Sequence, residues 1–301
     1  MNFNIESRDK VDHYQFHEMS INWINGGVTC MDGGAMFGAV PYPVWSKKIP
    51  HNDKLQIEQA TDAILIQYQG KNILIDSTYG QGKLTEKQER NYGVKAYPQI
   101  NESLAEVGLD QEDIDSILMT HMHFDHIGGL TVPNENGDIV SRFPNADIYV
   151  SQIEWDEVRH PNLRTKSTYF PQDWEAIQDQ VITFEGEFEF MPGIKMIHTG
   201  GHSNGIAIIV LEQEGEKIYH MSDLMPSHIH QNPLWVTAYD DYPMDSIEAK
   251  LSYLPQAYEE GAKFIFYHDV RYRMVHWDKK GKDMIWHLPR SIKNFIPWFD
   301  E

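Results

Sequence analysis

Apolar and polar positions fall into short runs separated by turn residues, and most of the runs predict strands. Residues 14–25 alternate well enough for an opening strand, and residues 62–69 and 71–76 are two apolar runs joined at Gly70, the pattern of a hairpin. Residues 99–107 have helical spacing and stop at Gly108, after which residues 114–119 read as a buried strand. A strand at 146–151 leads into a helix starting at Gln152. Strands resume at 181–190, 193–198, 205–211 and 217–221, the last two paired across Glu214-Gly215. Residues 244–260 predict a helix ended by Gly261, and residues 271–278 and 283–288 are strand-like runs about the turn Lys279-Lys280-Gly281.

Three stretches depart from this pattern. Residues 26–38 are too rich in glycine for a regular element and predict a loop. Its apolar tip, Met36 and Phe37 with Pro41, Tyr42, Pro43 and Trp45, either overhangs a site or tucks into the core. Residues 159–174 show no clear periodicity and predict an irregular surface segment, with a substrate-facing lid as the alternative. Residues 224–243 form a loop too long to be a plain connection and too aromatic to be disordered. Met225, Leu234, Trp235, Tyr239 and Tyr242 there predict the wall of an apolar pocket, the alternative being that they plug the core.

Candidate chemistry concentrates after the strand at 114–119, in Thr120-His121-Met122-His123-Phe124-Asp125-His126-Ile127-Gly128-Gly129. Neutral imidazoles and a carboxylate suit zinc and related divalent metals. The spacing lets His121 and His123 point one way while Asp125 and His126 turn another, so the loop can feed two adjacent ions. Later apolar runs lead to His202, in His198-Thr199-Gly200-Gly201-His202-Ser203-Asn204-Gly205, to Asp223 and to His268. Asp76 ends the run at 71–76 and either orients a metal-bound histidine or caps the turn. His228 and His230 follow Asp223 closely enough to be candidates for proton transfer. His13, His17, His51, His160, His198, His220, His276 and His287 lack ligand spacing and read as structural or exposed.

The histidine-rich stretch resembles the His-x-His-x-Asp-His signature of the metallo-β-lactamase superfamily. Residues 199–205 are similar to that family's Thr-Pro-Gly-His turn, with Gly200 where proline is usual. The resemblance implies an α+β fold, the four-layered αββα sandwich, with residues 1–301 as a single hydrolase domain. It implies that His121, His123 and His202 hold one divalent ion, that Asp125, His126 and His268 hold the other, and that Asp223 bridges them. Zinc is the expected metal, although the same donors accept manganese, iron or cobalt.

Composition narrows the partners. Lys plus Arg total 25 against 45 Asp plus Glu, a formal charge of −20 that repels polyanions and argues against nucleic acid. Solubility accounts for most of those charges. Cys30 is the only cysteine, which excludes an intrachain disulfide and all-thiolate metal sites. Residues 1–10 have no apolar core of leader length, and the longest aliphatic run, residues 206–211, is too short to span a bilayer. A cytoplasmic protein acting on a small molecule, without a membrane partner, is the expectation.

Two ions bridged by a carboxylate can share a hydroxide at neutral pH, so metal-assisted hydrolysis of an ester or lactone is expected, with Asp125 and Asp223 as the catalytic carboxylates. Within the superfamily the chain resembles quorum-quenching N-acyl homoserine lactonases. The likeness lies in the Asp-Gly-Gly-Ala-Met-Phe-Gly stretch at 32–38, the Ser-Asp-Leu-Met-Pro-Ser stretch at 222–227 and Tyr239-Asp240-Asp241-Tyr242-Pro243. It implies lactone opening and a homodimer. In the better-known lactonases a tyrosine stands three positions after the bridging aspartate; here that position is Pro226, leaving Tyr239 or Tyr242 to take its place. Organophosphate triester hydrolysis on the same site is the alternative, and a non-catalytic metal-binding protein a more distant one.

Overall fold

Two seven-stranded sheets carry the fold. In order across the first sheet lie His13–Phe16, Met19–Trp23, Ile64–Tyr68, Lys71–Ile75, Ser116–Leu118, Asp147–Ser151 and Val181–Phe184; the pairing changes from antiparallel to parallel at Lys71–Ile75. Across the second lie Glu187–Met191, Ile194–His198, Ala207–Gln213, Glu216–His220, Lys263–Ile265, Tyr272–Trp277 and Met284–Pro289, with Glu216–His220 and Lys263–Ile265 as its parallel pair. The computed structural model describes residues 11–299, so the leader reading of residues 1–10 lies outside the described residues.

Strand alternation decides the layers, because successive side chains point to opposite faces. Ile64, Ile66, Ile73 and Ile75 of the first sheet meet Met196, Ile209, Leu211 and Ile218 of the second in a shared core. The intervening Leu65, Leu74 and Ile117 point the other way and pack, through Leu104 and Trp155, on helices Ile100–Glu106 and Gln152–Arg159. On the far side Ile208, Val210 and Phe264 pack on helix Pro243–Glu259 through Ala249, Leu254 and Ala257. Helix, sheet, sheet, helix is the expected αββα order.

Several elements differ from expectation. The run at 14–25 is a hairpin: His17, with φ of 47°, reverses the chain between His13–Phe16 and Met19–Trp23. Residues 26–38 are not a loop. Val28–Asp32 pairs with Gln56–Ala60, and Asp32 caps the short helix Gly33–Phe37 by accepting the Ala35 N–H at 2.7 Å. Gly33 is required by close packing, since a Cβ there would sit 2.5 Å from the Trp45 ring. The run at 181–190 is split between the two sheets, with Gly186 at φ of 64° where the chain crosses over. Among the described residues no helix is long and apolar enough to cross a membrane.

Candidate metal centre

The candidate donors stand past the C-terminal ends of strands from both sheets: His121, His123, Asp125 and His126 after Ser116–Leu118, His202 after Ile194–His198, Asp223 after Glu216–His220 and His268 after Lys263–Ile265. A helical turn, Phe124–Ile127, re-aims Asp125 and His126 relative to His121 and His123. Gly129 lets that turn lie against the neighbouring strand end, where a Cβ would come 1.7 Å from the Ser77 carbonyl oxygen. Asp76 and Ser222 hold left-handed φ values of 56° and 49° beside the site, a backbone cost that the surrounding contacts must offset.

All seven candidate donors converge. One group is His121, His123 and His202, a second is His121, His126 and Asp223, and a third is Asp125, His126 and His268, the donor atoms of each lying within 4.8 Å of one another. Asp223 is central: its Oδ2 is 3.3 Å from His202 Nε2 and 3.5 Å from His126 Nε2, and its Oδ1 is 3.1 Å from His268 Nε2. Nitrogens from different loops face each other, His123 Nδ1 to His202 Nε2 at 3.0 Å and His126 Nε2 to His268 Nε2 at 3.1 Å.

The far nitrogens of these rings are held from behind. His126 Nδ1 lies 2.9 Å from Asp76 Oδ2, His202 Nδ1 2.9 Å from Asp240 Oδ1, and His268 Nδ1 2.6 Å from the Ala60 carbonyl. Such partners fix tautomer and ring orientation, leaving the other nitrogen to bind a metal. Asp76 also accepts from the Thr120 N–H and hydroxyl, both at 2.8 Å, so it orients His126 as well as bracing the loop. In this donor set His121 Nε2 is buried without a hydrogen-bond partner. An orphaned lone pair of this kind fits a cation.

The electrostatics agree. Burial, then the neighbouring imidazoles, holds His121 and His123 well below the usual histidine range, so both stay neutral as metal ligands must. His126 is also subject to burial, but the carboxylates of Asp223, Asp76 and Asp125 raise it well above that range; Asp223 and Asp240 raise His202 against the same penalty. Carboxylates therefore favour positive charge where the loops meet.

A cavity of about 270 Å³ opens beside these groups, and His123, Asp125, His202 and Asp223 form part of its wall. Of the residues read as a pocket wall, Met36 and Tyr239 line it. The other predicted wall residues do not. Phe37 is fully buried between Trp45 and His230, with ring centroids 5.5 and 4.7 Å away, and Trp235 packs edge-on against it at 5.8 Å. Met225 lies in the core beneath helix Pro243–Glu259, and Tyr242 is half-exposed away from the cavity. Phe37, Trp235 and Met225 found more burial in a neighbouring cluster than at the wall, whereas Leu234, like Tyr242, is exposed. His230 is likewise occupied, between Ser227 Oγ and the Met36 carbonyl at 2.9 Å each, and burial pushes it down to about 4. His228 pairs with Asp269.

The segment 159–174, expected to be a plain surface connection, is part of the wall: Arg164, Thr165, Ser167 and Thr168 face the cavity beside Met31, Gln59, Tyr92 and Phe124. The Arg164 guanidinium pairs with Asp241 and donates to the Ala238 and Asp240 carbonyls at 2.9 and 3.1 Å. The Phe124 N–H donates to the Thr168 carbonyl at 3.1 Å, which ties the same segment to the histidine-rich turn. No periodicity marks these residues in sequence.

The profile of the metallo-beta-lactamase superfamily matches residues 57–260. An N-acyl homoserine lactonase from a Bacillus species is 29% identical over 141 residues, 47% of this chain and 48% of that protein; the chain spans about half the length of the curated relatives it matches. A Staphylococcus aureus crystal structure, of a probable metal-dependent hydrolase, is 46% identical with a TM-score of 0.89, covering 93% of this chain and 100% of that one. AidC, a dizinc quorum-quenching lactonase solved with the product N-hexanoyl-L-homoserine, shares the fold at 18% identity and a TM-score of 0.74, over 95% of this chain and 99% of that one. With the superfamily profile matched over most of its length and its histidines and aspartates gathered past the strand ends of two sheets, the chain belongs to the metallo-beta-lactamase superfamily.

Proposed function

We propose that this chain is a dinuclear metal-dependent hydrolase that opens the lactone ring of N-acyl homoserine lactones, with zinc as its resident metal. The observation that carries the reading is the convergence of His121, His123 and His202, and of Asp125, His126 and His268, around Asp223 at the wall of a cavity. The lactonase relatives support the choice of substrate. Divalent ions held there would lower the pKa of coordinated water and polarise an ester carbonyl.

The chain's own groups do the rest. Asp223 lies between the two donor sets and would hold the ions together, and Asp125 reaches the cavity wall, so these carboxylates are the ones placed to orient water there. Tyr239 keeps its proton at neutral pH: burial first, then Asp32 and Asp125, pushes the phenol up to about 12. It is thus a hydrogen-bond donor toward a substrate oxygen, in the role expected of the missing tyrosine at Pro226. Met31, Met36, Tyr92 and Phe124 offer an apolar wall for an acyl chain, while Arg164 and Thr168 add polar groups near the mouth.

Initial rates on one preparation of known metal content, for a medium-chain acyl homoserine lactone and a paraoxon-type triester, test this reading. Far faster lactone opening is expected. Preference for the triester, or no turnover of either, would overturn it.

A further inference from the structure

Glu154 stands in the first turn of helix Gln152–Arg159, fully buried. Ser151-x-x-Glu154 has the spacing of a capping box, in which the glutamate would turn back to the Ser151 N–H. It points inward instead. Its Oε1 accepts from the Met122 N–H and the Tyr169 hydroxyl, both at 2.8 Å, and its Oε2 from the Ser203 hydroxyl at 2.6 Å and the Gly205 N–H at 3.2 Å. Four groups hydrogen-bond to one carboxyl, and none of them is a cation; burial raises its pKa above the usual carboxylate value, and these hydrogen bonds work against that rise.

The partners are placed to matter. Met122 lies between His121 and His123, Ser203 follows His202, and the Tyr169 ring packs against His123 with centroids 5.4 Å apart. Gly205 approaches so closely that a Cβ there would meet the Glu154 nitrogen at 2.2 Å, and the Ser151 hydroxyl fixes the Gly205 carbonyl at 2.6 Å. One buried carboxylate thereby holds both loops that supply His121, His123 and His202. The set of Asp125, His126 and His268 is braced elsewhere, by Asp76 and the Ala60 carbonyl.

We propose that Glu154 is a positioning residue for one metal site: it presets the His121, His123 and His202 donor set, leaving the other set largely unaffected. The proposal rests on the metal reading of the site and is independent of the substrate. Removing a residue that orients metal ligands commonly costs about 10- to 100-fold in metal affinity.

The test is zinc titration of metal-free protein against a chromophoric chelator, for wild type and Glu154→Gln. One of two zinc affinities is expected to fall by about 10-fold or more while the other changes by less than about threefold. In a His202→Ala background, where only the second set remains intact, adding Glu154→Gln is expected to change the remaining affinity little, whereas adding Asp76→Asn weakens it. Two wild-type affinities in Glu154→Gln, or equal weakening of both, would overturn the proposal. If Glu154→Gln does not fold, the Tyr169→Phe, Ser203→Ala double variant keeps the carboxyl but removes two of its partners; selective weakening of one site is expected, and unchanged affinities overturn the idea. Because no substrate is used, failure of the lactonase reading would be seen separately, as absent turnover in a protein that still binds zinc.

Discussion

Asp240 Oδ1 lies 2.9 Å from His202 Nδ1 and 2.7 Å from the Thr237 hydroxyl, so the aromatic loop at 224–243 hangs from a histidine of the candidate metal centre. Two backbone bonds reinforce the attachment, Asp241 N–H to the His202 carbonyl at 3.1 Å and Tyr242 N–H to the Gly201 carbonyl at 2.9 Å. Cavity wall and donor set are therefore mechanically joined. Asp240→Ala removes the partner that fixes the His202 ring and is expected to weaken zinc retention by about 10- to 100-fold, read by chelator competition. Thr237→Ala, which leaves the His202 contact in place, should change it far less. Equal effects in the two variants would contradict the role assigned to Asp240.

Tyr239 offers a test of how the cavity handles the leaving oxygen. A phenol that donates a hydrogen bond chiefly as charge develops should show its loss in turnover rather than binding. Tyr239→Phe keeps the ring against the wall, so kcat for lactone opening is expected to fall by about 10- to 100-fold with KM little changed. A rise in KM at unchanged kcat would reduce Tyr239 to an apolar wall residue.

Lys250 gives the aromatic loop a pH signature. Its ammonium is buried beneath the loop and donates to the His230, Asn232 and Trp235 carbonyls at 3.3, 3.3 and 2.7 Å. Burial pulls its pKa from 10.5 to about 8. Between those values the unfolded chain binds more protons than the folded one, so this residue's contribution to stability grows as pH rises through the window and is smallest below it. Wild type is expected to gain stability relative to Lys250→Met between about pH 8 and about pH 10, measured by denaturant unfolding of both proteins. A difference that shrinks over that range would contradict the assignment.

The donor loop is legible in the sequence because four of its candidates, His121, His123, Asp125 and His126, are local, and the others follow apolar runs that read as strands. The sandwich is legible for the same reason, since Leu65, Leu74 and Ile208 alternate with neighbours that face the other way. The hairpin at His17 is hidden because a tight turn interrupts the alternation only briefly. Residues 26–38 mislead because glycine there marks close approach, as Gly33 to Trp45 shows, rather than looseness. The cavity wall is least legible. Apolar wall and apolar core look alike in sequence, which is why Phe37, Met225 and Trp235 read as pocket residues. Arg164 and Thr168 reach the cavity from a segment with no period at all. Glu154 hides behind its resemblance to a helix cap.

The central claim, that two metal ions held by these seven residues support hydrolysis, is tested most directly by titrating metal-free protein with zinc while following lactone opening. Activity is expected to rise with occupancy and reach its maximum at two ions per chain, with Asp125→Asn and His126→Ala inactive at the same zinc concentration while retaining their fold by circular dichroism. Full turnover in metal-free protein, or near-normal turnover in either variant after verified loss of an ion, would contradict the account.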